Sequence, residues 1–371
     1  MRKSRFKRTS PVRRLLIFAA ALVSFAGVLR FAVGLFEDEG GIPAAVRLSL
    51  MCALPGFEYQ PEELPLLELP AAYVSQAGSE FAAEGASAYE GASSVSETEA
   101  GYYEEISELP IREISVSPVS SVGYLASEGV LVKNSTGFDV NVGYLLNRGL
   151  PYNLTDKGVQ VLIIHSHGSE AYTEEGRTTY DPADDSNRSE DPALNVVRVG
   201  EEIARVIKDA GIEVIHDKTL YDIPDFNRSY EAALEAMRGH LKKNPSIKII
   251  IDVHRDAMIT DEGVKYKTVA EFEGKKCAQI MLVMGTGENG LSHEYWKENL
   301  KLALRLQERM NEKDPGLARP IDLRSERFNQ HATMGSMIVE VGSSGNTLEE
   351  ATNGGRRFAE SLVVELLRIK K

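Results

Sequence analysis

The stretch VQVLIIHSHGSEAY, Val159 to Tyr172, decides how the chain is read. Val159, Val161, Leu162, Ile163 and Ile164 make a short, β-branched, nearly unbroken apolar run. That is the pattern of a strand buried on both faces of a parallel sheet. The run stops at His165, His167 and Glu170. In open α/β sheets the carboxyl ends of the strands are where ligands bind, so this polar cluster stands where chemistry is expected. A second apolar run, in IKIIIDVHRDA from Ile247 to Ala257, ends at His254, and a third, MIVEV from Met337 to Val341, carries Glu340. Imidazoles and carboxylates at three strand ends make up the donor set of a zinc hydrolase.

The segments between these runs alternate in period. Apolar residues recur at helical spacing from Ala193 to Ala210, with Pro192 before them and Gly211 after. Ile212 to Ile215 reads as a strand, Ser229 to Lys243 as a helix, and Ala278 to Met284 as another buried strand. A helix is expected from about His293 to Asn311. A last one begins at Thr347, where Glu350 three residues on completes a capping box, and runs to about Ile369. Residues 258–275 are charged and broken and read as a loop or hairpin. Strand–helix alternation of this kind predicts one α/β domain over 158–371, with helices on both faces of a mostly parallel sheet.

Outward from that domain the composition changes. Residues 111–157 read as a small β-rich lead-in with a turn at Asn134 to Gly137. The triplets at Asn134 and Asn153 match the glycosylation sequon, a match that is more often chance. Residues 37–110 read as a linker or stalk. Ala71 to Pro110 holds eight acidic residues and no basic one, a composition that does not repay its ordering entropy. Leu15 to Phe36 is apolar except for Ser24 and Arg30, and at about 1.5 Å per residue it spans the hydrocarbon core of a bilayer. The 14 residues before it carry seven basic side chains and no acidic one. The positive-inside rule therefore predicts a cytoplasmic basic segment at 1–14, an uncleaved anchor at 15–36 and an extracytoplasmic remainder.

The totals bound the function. A net charge of −13 argues against nonspecific nucleic-acid binding, which rests on neutralising phosphates. Cys52 and Cys277, the only cysteines, make neither a disulfide framework nor a thiolate metal site. No Gly-rich phosphate loop and no Ser-centred elbow is present, so kinases and serine esterases are poor candidates. Metal ligands must then be nitrogen and oxygen. His167 and Glu170, three residues apart, and His254 from the neighbouring strand are the candidate ligands. Glu190 in the long loop 173–192 is the rival to Glu170, and Asp256 a weaker one. Glu340 is the candidate general base, and a structural salt bridge to Arg255, Arg324 or Arg327 is the bland alternative. Asp252, two residues before His254, is placed to orient it. His165 is a further candidate ligand or orienting group. His216, His240 and His293 read as structural or surface residues; His331 is open between that reading and a place lining the cleft.

HSHGSEAY (165–172), NVVRVG (195–200), HDKT (216–219), DVHRDA (252–257), FNQ (328–330), VEVG (339–342) and NTLEEA (346–351) resemble, in this order, the stage II sporulation protein P family, which is related to the zinc-dependent N-acetylmuramoyl-L-alanine amidases. The resemblance covers roughly 110–371. It implies an amidase-like fold and a Zn2+ cofactor. It also implies hydrolysis of the amide between N-acetylmuramic acid and L-alanine in peptidoglycan, with peptide cross-links also cut, during forespore engulfment. Partners implied are the stage II sporulation proteins D and M. By the same resemblance His167 and His254 are essential histidines and Glu340 is the catalytic glutamate. The related amidases supply the glutamate ligand well after the first histidine, nearer Glu190, whereas the local HxxE spacing points to Glu170. Two other readings stay open on the residues: a zinc carboxypeptidase or endopeptidase acting on wall peptides, and a non-catalytic wall-binding protein.

Overall fold

Strand-like runs in the sequence become paired strands in the computed structural model, which describes residues 108–183 and 187–371. Expectations for the basic segment, the anchor and nearly all of the stalk fall outside the described residues. Among those described, no helix is long and apolar enough to cross a membrane.

Twelve strands are formed by the described residues: β1 Leu109–Ile114, β2 Leu125–Ser127, β3 Val130–Asn134, β4 Val161–Ile164, β5 Thr179–Tyr180, β6 Val214–His216, β7 Ile249–Asp256, β8 Lys265–Phe272, β9 Lys275–Ala278, β10 Ile280–Gly285, β11 Ile321–Arg324 and β12 Gly335–Ser343. The helices are α1 Val142–Leu146, α2 Val196–Asp209, α3 Ser229–Lys243, α4 Trp296–Lys313 and α5 Leu348–Arg368. Eight strands form one sheet in the order β2-β3-β11-β10-β12-β7-β4-β6. It is mixed. Five of its pairings are parallel, while β2–β3 and β10–β12 are antiparallel.

The period-two alternation of strands sorts side chains between two faces. Val161, Ile163, Ile249, Ile251, Val253, Met337, Val339 and Val341 share one core with Val199 and Ile203 of α2, Leu300 and Leu304 of α4, and Phe358 and Leu362 of α5. The residues between them, Leu162, Ile164 and Ile250, pack with Ala233 and Met237 of α3 on the other face. Helices thus cover both faces. Each fully buried Leu or Ile here contributes about 1.5–3 kcal/mol. The expected capping box at the start of α5 is present, with Thr347 and Glu350 each bonding the other's backbone N–H. Gly354 lets α5 lie against β9: a Cβ there would stand 2.2 Å from the Ala278 carbonyl oxygen.

Two features correct the expected architecture. A second, four-stranded sheet exists, ordered β5-β1-β8-β9. The stretch 258–275, expected as a loop or hairpin, supplies β8 and the turn, where Glu273 and Gly274 both take positive φ and close a two-residue hairpin onto β9; that this hairpin belongs to a second sheet was not expected. In addition, residues 111–157 are not a separate lead-in. β1 joins the second sheet, while β2 and β3 extend the first, β3 pairing in parallel with β11. β11 itself was not expected, because only Ile321 and Leu323 in its four residues are apolar and the run is too short to show a period.

Candidate active site

β4, β7 and β12 are parallel neighbours, so their carboxyl ends lie together. Ile164 stands opposite Asp252 on β7, and His254 opposite Glu340 on β12. Asp252, His254 and Asp256 alternate with the core residues Ile251 and Val253. Glu340 likewise falls between Val339 and Val341. All four therefore point away from α2, α4 and α5, to the face where Ile338 packs with Met281 and Val283. The pattern that buries the strands also collects their polar residues on one side.

β4 ends at Ile164 and the chain turns. Asp252 holds that turn: Ser166 donates to it from both its backbone N–H (2.8 Å) and its hydroxyl. The turn carries His167 and Glu170 back over the end of β7. Glu170 Oε2 accepts from the Arg255 backbone N–H at 3.1 Å and lies 3.4 Å from His254 Nδ1. On the other side of the ring, His254 Nε2 is 3.0 Å from Asp252 Oδ1, a close contact rather than an aligned hydrogen bond. The His167 and His254 rings have centroids 5.5 Å apart. Phe226 stacks on His167 at 4.4 Å, and Tyr230 meets the edge of His167 and stacks on His254.

Electrostatics follow from burial and these contacts. Burial pushes His167 down to about 4, so its imidazole is neutral at neutral pH and keeps a lone pair to donate. Burial also opposes charge on Glu170, but the His254 contact and charge and the Arg255 guanidinium outweigh it and hold the carboxyl at about 2. Burial opposes charge on His254 as well, yet Asp252 and Glu170 raise it well above its ordinary range. Two carboxylates thus make a place for positive charge around this ring. Burial raises Glu340 to about 8, with Asp256 and Glu170 adding to the rise. Its Oε2 is buried and accepts no hydrogen bond among the described residues.

Among the described residues, no group of three or more His, Cys, Asp and Glu side chains is spaced to hold a metal ion as it stands. The pair contacts nonetheless fit one. Two donors each about 2.0–2.1 Å from a tetrahedral ion stand roughly 3.3 Å apart, and Glu170 Oε2 and His254 Nδ1 are 3.4 Å apart. A neutral imidazole, an ionised carboxylate and a site that attracts positive charge are the chemistry that such an ion requires.

Residues left open in the sequence are now placed. Glu190 is exposed, while Glu170 is buried against His254. Asp256 is turned to the buried guanidinium of Arg319 at 2.8 Å. Arg319, rather than the expected Arg255, Arg324 or Arg327, is the arginine whose charge acts on Glu340. Arg255 instead bonds the carbonyl oxygens of Ala171 and Asn187, and Arg324 faces Asp322 and Glu326. His165 is not with His167: the strand ends before it, and its ring turns to the opposite face. There its Nδ1–H donates to the Val253 carbonyl, so its Nε2 must accept from His216 Nε2 at 2.8 Å. Gly200 of α2 makes room, since a Cβ would stand 2.7 Å from both rings. Phe226 and Tyr230 were missed in the sequence. An aromatic at the start of a helix carries no chemical pattern, and only the fold brings it over the histidines.

Residues 59–363 match the model of a family described as stage II sporulation protein P (SpoIIP). No curated protein matches the chain. Among solved structures the chain is similar to the N-acetylmuramoyl-L-alanine amidase AmiC2 of Nostoc punctiforme, at 11% identity and a TM-score of 0.33 over 57% of this chain and 96% of that one. It is similar to the N-acetylmuramyl-L-alanine amidase Ami1 of Mycobacterium smegmatis, at 12% identity and a TM-score of 0.33 over 58% and 98%. It is also similar to the CwlD amidase of Clostridioides difficile, solved in complex with the GerS lipoprotein, at 13% identity and a TM-score of 0.36 over 57% and 98%.

Proposed function

The chain belongs to the stage II sporulation protein P family, and from that premise we propose that it is a zinc-dependent peptidoglycan hydrolase that cleaves the N-acetylmuramoyl-L-alanine amide. The observation that carries the proposal is the meeting of His167, Glu170 and His254 at the end of β7, with Glu340 directly across the strand pair.

In this reading His167, Glu170 and His254 hold the ion. Zinc in such a set lowers the pKa of a bound water and polarises the carbonyl to be attacked. Asp252 orients His254 from behind, as outer carboxylates do for ligand imidazoles. Glu340 takes the proton of the attacking water on its unsatisfied oxygen and returns it to the departing amine nitrogen. A carboxyl near 8 is tuned toward ambient pH, where an acid–base group works in both directions. Phe226 and Tyr230 shield the reacting centre from water. Arg255 is spent on backbone carbonyls and Arg324 on carboxylates, so neither of the two arginines weighed in the sequence for a peptidase's carboxylate clamp is placed to serve as one.

The apolar segment 15–36 and its basic flank support a single-pass anchor with the enzyme outside the cytoplasm. Family membership supports action during engulfment with the stage II sporulation proteins D and M. The decisive test supplies zinc-loaded full-length chain with intact peptidoglycan and assigns the new ends. Free L-alanine amino groups on released stem peptides are expected, and chelation followed by zinc should remove and restore them. New ends only at cross-links, or none, would overturn the assignment of the bond.

A further inference from the structure

One element away from this site lies a second pair of histidines that the chemistry above does not use. His293 precedes α4, and His331 lies in the short 3-10 turn Gln330–Ala332. Their ring centroids are 6.5 Å apart. His293 is only 5% exposed. Its tautomer follows from its neighbour: Asn299 Nδ2 donates to the Gln330 carbonyl at 2.8 Å and faces His293 Nε2 at 3.4 Å, so Nε2 is the acceptor and the proton sits on Nδ1. That Nδ1–H is buried and has no acceptor among the described residues. His331 Nδ1 and Arg327 Nε are buried without partners in the same way. Asn299 Oδ1 is an unpartnered acceptor among them.

The charges around this pair are of one sign. Arg327 acts on both histidines, and Arg238 of α3 acts on His331 and on Arg327, and among the described residues no carboxylate acts on His293, His331 or Arg327 in turn. A chain of net charge −13 has here gathered two guanidinium groups and two imidazoles with no ion pair to a carboxylate among the described residues. Buried donors without acceptors are costly and rare, and such a group in a native fold calls for an occupant. The cluster is joined to the catalytic face. Phe328, next to Arg327, packs on Tyr230, which stacks on His254, and Asn329 donates to the Tyr230 carbonyl at 2.7 Å.

We propose that His293, His331, Arg327 and Arg238 form a subsite for a carboxylate of the acidic stem peptide, beside the centre that cleaves the amide. The inference rests on the peptidoglycan reading and names the part of the substrate it would recognise. Guanidinium and imidazole N–H groups bind the carboxylate, and Asn299 Oδ1 accepts an N–H of the adjoining peptide bond.

The experiment measures binding of a soluble stem peptide with free side carboxylates, and of the same peptide with those carboxylates amidated, to the full-length chain carrying Glu340→Gln, so that no turnover intervenes. The free acid should bind about tenfold more tightly or better, as hydrogen bonds to a charged group predict. Arg327→Gln combined with Arg238→Gln should bring that ratio close to one. Both arginines are on the surface or partly so, and a melting curve on the double variant checks its fold. His293→Asn, read by the same ratio, tests the buried donor. Equal binding of acid and amide, or a ratio that survives the double substitution, overturns the proposal. Tight binding of inorganic phosphate at these residues with no binding of the peptide overturns it in favour of a phosphate site. Absence of hydrolysis by the zinc-loaded chain with Glu340 intact, together with an intact acid preference, sinks the enzymatic reading instead and leaves the subsite standing.

Discussion

Glu340 and Gly200 are the two single residues on which most depends. Glu340 Oε2 is buried, accepts no hydrogen bond among the described residues, and faces His254 across β12 and β7. Glu340→Gln keeps the shape and removes the proton carrier. Turnover of peptidoglycan should fall by about 10²–10⁴-fold, while zinc content, read by atomic absorption, stays at the wild-type ratio. An unchanged rate removes Glu340 from the reaction. Gly200 lies under the His165–His216 pair, where a Cβ would come within 2.7 Å of both rings. Gly200→Ala should therefore lower stability by about 1–3 kcal/mol as overpacking does, although a helix interior otherwise favours alanine. A denaturant midpoint at or above wild type would show that the rings yield freely. His167, Glu170, His254 and Glu340 could each be picked out as candidates from residue type at strand ends. The separation of His165 from His167 was not, because it depends on where β4 stops.

Elements place these residues by register and by their ends. β7 and β12 pair from Gly335↔Ile249 through Glu340↔His254 without a shift, so a one-residue slip of either strand would turn its own polar residue, His254 or Glu340, into the core shared with α2, α4 and α5. The segment past His254 is tied down by the fully buried Asp256–Arg319 pair. Arg319→Met should strand Asp256 in the core and cost about 3–5 kcal/mol, whereas a joint apolar replacement of both residues should be far milder. Equal losses in a double-mutant cycle would rule out that coupling. At the start of α5, Thr347→Ala removes the hydroxyl that accepts from the Glu350 N–H at 3.2 Å and should cost about 1 kcal/mol, seen as a lower denaturant midpoint. That box was readable from Thr347 and Glu350 alone. β11 and the second sheet were not, since their strands are short or charged and are held by partners distant in the chain.

Across the whole molecule, burial of titratable groups predicts acid lability. Burial, with His165 and Lys218 adding, lowers His216 from 6.5 to about 3. Unfolded chain therefore binds this proton from about pH 6.5 downward while folded chain does not. Stability falls with falling pH across that window, by on the order of a few kcal/mol. Glu202 is held at about 2, against 4.5, chiefly by its hydrogen bond to Arg205 and also by Arg356. Its contribution is whole above about pH 4.5 and is lost as pH falls toward 2. Unfolding midpoints should drop steadily from pH 7 to pH 4, and His216→Gln should flatten the upper part of that slope. A flat wild-type profile contradicts the burial of His216 and the arginine contacts of Glu202.

The alternation of apolar runs and helical periods was enough to determine an α/β sheet with helices on both faces, because hydrophobic period is a local property that each segment carries by itself. The strand-end histidines and carboxylates were visible for the same reason. Tertiary structure alone decided that Glu170 rather than Glu190 meets His254, that Arg319 rather than Arg255, Arg324 or Arg327 supplies the positive charge that acts on Glu340, and that Phe226 and Tyr230 cover the histidines. Those are pairings between residues far apart in the chain. Their energies come from burial and contact, which no stretch of sequence possesses until the whole has folded.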